Sequence, residues 1–264
     1  MLYTISKPNS LKQNFIFGTI HLGGKNTVEI AEKVKPYIDR SSKFYGEMDI
    51  SQLVDNFYQA FKLPAGTSIS DLYTSRKFDK LNNFSIKYFG LDLHSTADIK
   101  PLFILAKYSE IISNHSGKAL DAILFEYALL RNLPVSGLET VVRQMEIAEL
   151  IPLDMQVKML SSALKNIKSF KRNHKKQIND YYLYNVLALY KKSKKNLGGI
   201  RKLMLYDRNY AMADKVITIL QHDSENSHFF CFGAAHLEGG KGVLSYLKKE
   251  GYKVKIEKNW KSKT

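Results

Sequence analysis

A six-residue pattern occurs twice in the chain, once near each end. Phe17-Gly-Thr-Ile-His-Leu leads directly into Gly-Gly-Lys, and Phe232-Gly-Ala-Ala-His-Leu leads into the same three residues after one glutamate. Each copy follows a short apolar run typical of a buried strand and precedes a segment with helical periodicity. Because strand, loop and helix occur twice in this order, the chain is predicted to have an α/β fold.

The segments around the repeats predict two strand-helix-strand arms. In the first arm, a strand at Phe15–Phe17 is followed by a helix over Thr27–Arg40 and a strand over Lys43–Ile50. Pro36 is expected to kink or end that helix early. Residues 228–257 repeat the order in a second arm. Neither arm alone offers a sufficient core, so we expect both to close onto one central sheet.

Residues from about 50 to 220 are mostly helical by their periodicity. One strand interrupts them at Pro134–Leu138, while Asn82–Leu93 fits no regular period. We therefore predict a single domain over residues 1–264, in which about residues 50–220 form a helical insertion.

The positive charge of the chain is concentrated in one segment. The chain carries 40 Lys and Arg against 25 Asp and Glu, and Lys158–Lys202 has 13 of these basic residues with Asp180 as its one acid. Apolar residues recur there every three or four positions, which predicts amphipathic helices with a solvated, charged face. The alternative is an acidic partner for this segment, either nucleic acid or an anionic membrane surface.

The single cysteine, Cys231, excludes an intrachain disulfide and a cysteine-rich zinc site. No apolar run reaches the roughly 18 residues of a transmembrane helix. No leader pattern begins at Met1. The sequence thus predicts a soluble protein, cytoplasmic as it stands or exported if a leader peptide has been removed.

The repeated histidines and two glutamates are predicted to meet at one edge of the sheet. His21 and His236 lie beyond the carboxyl ends of strands, where ligands bind in parallel α/β sheets. Glu47 ends the second strand and Glu139 ends the strand at Pro134–Leu138, so both are expected at the same edge. Two histidines and a carboxylate can hold a divalent metal whose bound water becomes a nucleophile.

Two other interpretations of these residues remain open. Without a metal, His21 or His236 could act as a general base oriented by Glu47. The histidines could also belong to a duplicated strand-turn motif in which they only cap turns. Arg208, at the start of a helical run, could stabilise an oxyanion or hold a substrate carboxylate, or it could form a salt bridge to Glu139 or Glu47.

Six motifs span nearly the whole chain in a fixed order: Leu2-Tyr-Thr-Ile, Phe15-Ile-Phe-Gly-Thr-Ile-His, Gly46-Glu-Met-Asp, Val135-Ser-Gly-Leu-Glu-Thr, Asp207-Arg-Asn-Tyr-Ala-Met-Ala and Phe232-Gly-Ala-Ala-His-Leu. Together they resemble the TraB/GumN/PrgY family, which includes the Tiki proteases. The resemblance implies an α/β sheet of two related halves with an inserted helical region. Asp207 departs from the glutamate usual before the Arg-Asn pair of this family.

The resemblance also implies metal-dependent peptide hydrolysis. The family's glutamate and GxxH histidines correspond to Glu47, His21 and His236, and its Arg-Asn arginine corresponds to Arg208. In Tiki-like members the metal is manganese or cobalt in preference to zinc.

From the residues and the resemblance together, we predict a metal-dependent hydrolase that acts on a peptide or another small amide or ester. His21, Glu47 and His236 hold the metal and activate water, Glu139 is a further ligand or support, and Arg208 stabilises charge. The alternative is a non-catalytic protein of the same fold that binds or sequesters a peptide or haem. The substrate and the oligomeric state are not specified by the sequence.

Overall fold

The computed structural model describes residues 1–8, 12–21, 25–52, 57–113 and 117–261. Six strands in this part of the chain form one sheet: β1 Leu2–Ser6, β2 Asn14–Thr19, β3 Lys43–Met48, β4 Val135–Glu139, β5 His228–Gly233 and β6 Lys253–Ile256. The α-helices in this part are α1 Lys25–Ile38, α2 Ser75–Phe89, α3 Pro101–Ser113, α4 Leu120–Leu130, α5 Val141–Glu149, α6 Leu153–Lys165, α7 Ile167–Tyr182, α8 Val186–Asn196, α9 Asp207–His222 and α10 Val243–Lys249. The predicted α/β class with a large helical region is confirmed.

The strand order in the sheet is β4-β3-β5-β2-β1-β6. Strands β4, β3, β5 and β2 run parallel to one another, while β1 is antiparallel to both of its neighbours. Strands β2 and β5 are apolar on both faces and almost entirely buried, as expected for interior strands of a parallel sheet. The two strands of the first arm do not pair directly, because β5 lies between them.

Two local features differ from the sequence-based expectation. Helix α1 continues two residues past Pro36 to Ile38, so it does not end at the proline, and a kink there stays a prediction. Val34 and Ile38 are fully buried, and their packing holds the last turn despite the missing amide hydrogen of the proline. The residues from Asn82 to Phe89, which fit no regular period, are helical, and Gly90 ends this helix in a left-handed conformation with φ of 66°.

The chain divides into two compact units. The first unit consists of residues 1–52, 116–141 and 179–264, and the second of residues 53–115 and 142–178. The first unit contains the sheet and its own hydrophobic core. The second unit has a separate core in which the rings of Phe89 and Tyr108 stack with centroids 3.9 Å apart. The predicted single domain with a helical insertion over about residues 50–220 stays a prediction, and β4 and α4 from that segment belong to the first unit.

The basic segment Lys158–Lys202 is largely helical, as its periodicity predicted, and contains α7, α8 and the end of α6. An acidic partner for it stays a prediction. In the part of the chain that the structure describes, no helix combines the length and apolar character needed to cross a membrane.

Candidate functional site

The carboxyl ends of four parallel strands align at one edge of the sheet. In the β-ladders, Thr19 at the end of β2 is level with Gly233 at the end of β5, and Met48 at the end of β3 is level with Glu139. Side chains that follow or end these strands therefore lie at the same edge of the sheet in the first unit. Within the first repeat, Gly23 and Gly24 lie outside the described residues.

Glu47 is held by partners from two distant segments. Its Oε1 accepts a hydrogen bond from Nη2 of Arg208 at 2.5 Å, and its Oε2 accepts one from the backbone N–H of Gly233 at 2.8 Å. Burial alone would raise the pKa of Glu47, but electrostatic interactions with Arg208 above all, then with the His236 and His21 rings, and the Gly233 N–H lower that pKa well below its usual value. Glu47 is consequently a carboxylate at all physiological pH values.

Arg208 bridges both glutamates that the sequence singled out. Its Nε and Nη2 bind Glu139 in a fork, with Nε to Oε1 at 3.0 Å and Nη2 to Oε2 at 2.5 Å. The exposed fractions of the Arg208, Glu47 and Glu139 side chains are 12%, 14% and 4%. Burial opposes the charge of Arg208, yet the two carboxylates raise its pKa overall. The salt bridge considered from the sequence is present, and Nη1 makes no hydrogen bond within the described residues.

A buried asparagine orients the ring of His236. Oδ1 of Asn209 lies 2.5 Å from Nδ1 of His236, while Nδ2 of Asn209 donates to the carbonyl oxygen of Lys241 at 2.7 Å. Because the second bond fixes which end of the amide faces the ring, we assign the proton to Nδ1 and a lone pair to Nε2. Burial lowers the pKa of His236 to about 4, so the ring is neutral at pH 7.

An aspartate that sequence reasoning missed holds the other histidine. Nδ1 of His21 lies 2.6 Å from Oδ2 of Asp121, in the first turn of α4. The hydrogen bond to Asp121 raises the pKa of His21, whose side chain is 68% exposed. The second oxygen of Asp121 is buried and has no hydrogen-bond partner in the described part of the chain.

Asp121 and Asn209 differ in whether the sequence alone could have identified them as partners of the histidines. Asp121 is one acid at the start of an apolar helix, 100 residues from His21, and nothing local connects the two. Asn209 directly follows Arg208 in the Asp-Arg-Asn motif, which is the signal that could have found it.

The glycine of each repeat leaves room for neighbouring atoms, which belong to the site at Gly233 and to the other repeat at Gly18. A Cβ atom on Gly233 would lie 3.3 Å from both Oε2 of Glu47 and Cδ2 of His236. A Cβ atom on Gly18 would lie 2.5 Å from the Leu237 side chain and 3.0 Å from Ala234. Both positions therefore favour glycine for space rather than for backbone conformation.

The donor atoms at this edge fit a divalent metal chemically. Each histidine has its Nδ1 bound to an oxygen acceptor, Asp121 for His21 and Asn209 for His236, which is the arrangement that orients Nε2 of metal-binding histidines. Glu47 supplies a carboxylate that interacts electrostatically with both rings. Over the described ranges, no three His, Cys, Asp or Glu side chains are already close enough to share an ion.

Comparison with known proteins gives one match along almost the entire chain. The sequence pattern that defines the TraB/PrgY/gumN family matches residues 1–256. No solved structure matches the chain.

Shorter similarities connect the chain to curated metalloproteases. Metalloprotease TIKI2 of Danio rerio is 44% identical over 55 residues, which is 21% of this chain and 11% of that protein. The Metalloprotease TIKI homolog of Nematostella vectensis is 40% identical over 58 residues, 22% of this chain and 12% of that protein. Metalloprotease TIKI1 of Homo sapiens is 36% identical over 55 residues, 21% of this chain and 11% of that protein. The chain thus matches only about a tenth of the length of these relatives.

Proposed function

The chain belongs to the TraB/PrgY/gumN family, as its motifs predicted, and we propose that it is a metal-dependent hydrolase of peptides or of other small amides or esters. The observation that carries this proposal is the pair of histidines, His21 and His236, each with Nδ1 tied to an oxygen acceptor. The similarity to proteins named metalloproteases supports it over a short segment.

In this proposal, Nε2 of His21, Nε2 of His236 and the carboxylate of Glu47 would hold the ion, with Glu139 as a further candidate ligand. Manganese or cobalt is preferred to zinc, as the resemblance to Tiki proteins implies. When bound, the ion lowers the pKa of a coordinated water toward neutrality and polarises the scissile carbonyl.

The electrostatics favour ligand roles over general-base roles for two of these groups. A carboxylate with a strongly lowered pKa, such as that of Glu47, holds a proton poorly at neutral pH. A ring with a pKa of about 4, such as that of His236, is likewise a weak base but offers a permanent lone pair. His21 must lose its extra proton before Nε2 can act as a ligand, so metal binding is expected to weaken as the pH falls.

Arg208 has two roles in this proposal. Its Nε and Nη2 hold Glu47 and Glu139 in place. Its Nη1 would donate to the oxyanion that forms when the substrate carbonyl is attacked, or to a substrate carboxylate.

Metal analysis and peptide turnover test the proposal. The protein is stripped with a chelator, incubated with Mn²⁺, Co²⁺ or Zn²⁺, and assayed for bound metal and for cleavage of a quenched fluorescent peptide mixture. We expect His21→Ala and His236→Ala to lose both metal and turnover. His222→Ala is the matched control, because this exposed ring binds the carbonyl of Thr218 in its own helix and no other group among the described residues. Full metal retention by both site variants would contradict the proposal.

A second candidate is a non-catalytic protein of the same fold that sequesters a peptide or haem. The observation that favours it is the engagement of Glu139 and of one oxygen of Glu47 by Arg208, which neutralises carboxylates. Tight capture of a peptide or haem without product, unchanged in Glu47→Gln, would support this candidate over the hydrolase.

A further inference from the structure

A cavity of about 540 Å³ opens beside the first turn of α9, in the first unit. Its volume falls within the roughly 300–1,000 Å³ of small-molecule sites. It shares no side chain with the site formed by His21, Glu47, His236 and Arg208. The two places are connected through the chain, because Asp207 lines the cavity and precedes Arg208.

The cavity has an excess of positive charge. Three cations line it, Arg201, Lys202 and Lys241, against one carboxylate, Asp207. Lys202 is paired with that carboxylate at 2.8 Å, whereas Arg201 has no ion pair in the described part of the chain. The cavity therefore carries two uncompensated positive charges. Such a cluster attracts a ligand with more than one negative charge, as a phosphate has.

Three tyrosine rings form the other part of the lining. Nζ of Lys241 lies 4.5 Å from the centroid of the Tyr206 ring. The Tyr210 and Tyr246 rings meet edge to face with centroids 5.7 Å apart, and Tyr210 is 60% exposed. An exposed aromatic ring at the rim of a charged cavity can stack on a planar ring of a ligand, which every nucleobase provides.

The backbone around the cavity is irregular. Lys202–Tyr206 forms a π-helical turn immediately before α9, and such turns are rare and frequent at functional sites. Gly198 adopts a left-handed φ of 50°, and a Cβ atom there would meet no atom within 4 Å. The wall at this glycine is thus bare backbone with space beside it.

We propose that this cavity binds a small phosphorylated molecule with a planar ring, of the nucleotide class. Arg201, Lys202 and Lys241 would bind the phosphates, and Tyr210 would stack on the ring. A single carboxylate would neutralise only one of these two positive charges, whereas a diphosphate carries enough negative charge to neutralise both. The proposal does not depend on the hydrolase function, because none of these side chains belongs to the histidine site.

Calorimetric titration with ADP, inorganic pyrophosphate and adenosine tests both the binding of phosphates by the cations and the stacking of a ring on Tyr210. We expect ADP to bind more tightly than either pyrophosphate or adenosine. Arg201→Ala combined with Lys241→Ala is expected to weaken ADP binding by about tenfold or more. Tyr210→Ala should weaken ADP binding and leave pyrophosphate binding unchanged.

The controls separate a specific site from general positive charge. Lys253→Ala with Lys255→Ala removes two exposed cations from β6, outside the cavity, and should leave ADP affinity unchanged. A thermal unfolding midpoint for each variant establishes that it is folded, and Lys202→Ala provides an independent cavity variant. No ADP binding at about 1 mM, or equal losses in the cavity and β6 variants, would overturn the proposal.

Discussion

Replacing Asn209 by alanine is expected to reduce stability and to release the ring of His236. Asn209 is fully buried, and it is the hydrogen-bond partner of both Nδ1 of His236 and the carbonyl oxygen of Lys241. The substitution leaves the buried Nδ1 of His236 without its partner and removes a partly buried hydrogen bond to the Lys241 carbonyl. An unsatisfied buried group costs about 1–3 kcal/mol and a typical hydrogen bond contributes about 0.5–1.5 kcal/mol, so the free energy of unfolding should fall by about 1.5–4.5 kcal/mol.

Asn209→Asp separates the two hydrogen bonds. A carboxylate still accepts from Nδ1 of His236, but it cannot donate to the Lys241 carbonyl. It also places a negative charge beside the ring, so the pKa of His236 should rise from its value of about 4. This variant should therefore keep the ring orientation while it shifts the titration of the ring.

Urea unfolding measures the stability change, and NMR titration of the imidazole protons measures the pKa of His236. Asn226→Ala is the matched control, because its side chain makes one exposed bond to Asp223. If Asn209→Ala and Asn226→Ala differ by less than about 0.5 kcal/mol, Asn209 does not hold the ring as we infer.

Three further outcomes follow from the same site. Arg208→Lys should lower the free energy of unfolding, measured in urea, by about 1.5–3 kcal/mol, because lysine keeps the charge but cannot keep the fork to Glu139 and the bond to Glu47 together. An unchanged unfolding midpoint would refute this. Gly137→Ala should prevent soluble expression, because its Cβ would lie 2.5 Å from the carbonyl oxygen of Glu139 and 2.6 Å from the backbone nitrogen of Asp49. A normal yield of soluble protein would contradict this packing. His236→Gln should flatten the dependence of the unfolding free energy on pH between about 4 and 6.5. Because the folded ring has the lower pKa, the unfolded state binds more protons in that pH range, and the native chain loses stability as the pH falls. Equal slopes for both proteins would show that His236 titrates normally.

Local patterns predicted the parts of the fold that depend on local chemistry. The apolar runs at β2 and β5 mark buried strands, and the periodicity of residues 50–220 predicts helices, of which α4 is one. The repeat also predicted that His21 and His236 follow strand ends, which they do. Periodicity carries no information on strand order, however, so the position of β5 between β2 and β3 could not be predicted.

The contacts around the histidines were beyond sequence reasoning for a similar reason. Asp121 meets His21 because α4 begins beside the end of β2, and that requires the register of the whole first unit. For Arg208, charge alone allowed either carboxylate as partner or none, and only the side-chain geometry shows that it binds both. Past Pro36, two buried apolar residues outweigh a local propensity to end the helix.

The position of β5 in the middle of the sheet has a consequence for when the site is assembled during folding. Gly233 and Glu47 are 186 residues apart, and β5 has to insert between β2 and β3, which precede it in the chain. A chain in which β5 has not yet entered the sheet lacks both the backbone N–H that binds Glu47 and the imidazole of His236 at this edge. The hydrolysis that we propose for this edge would therefore begin only after β5 has inserted between β2 and β3.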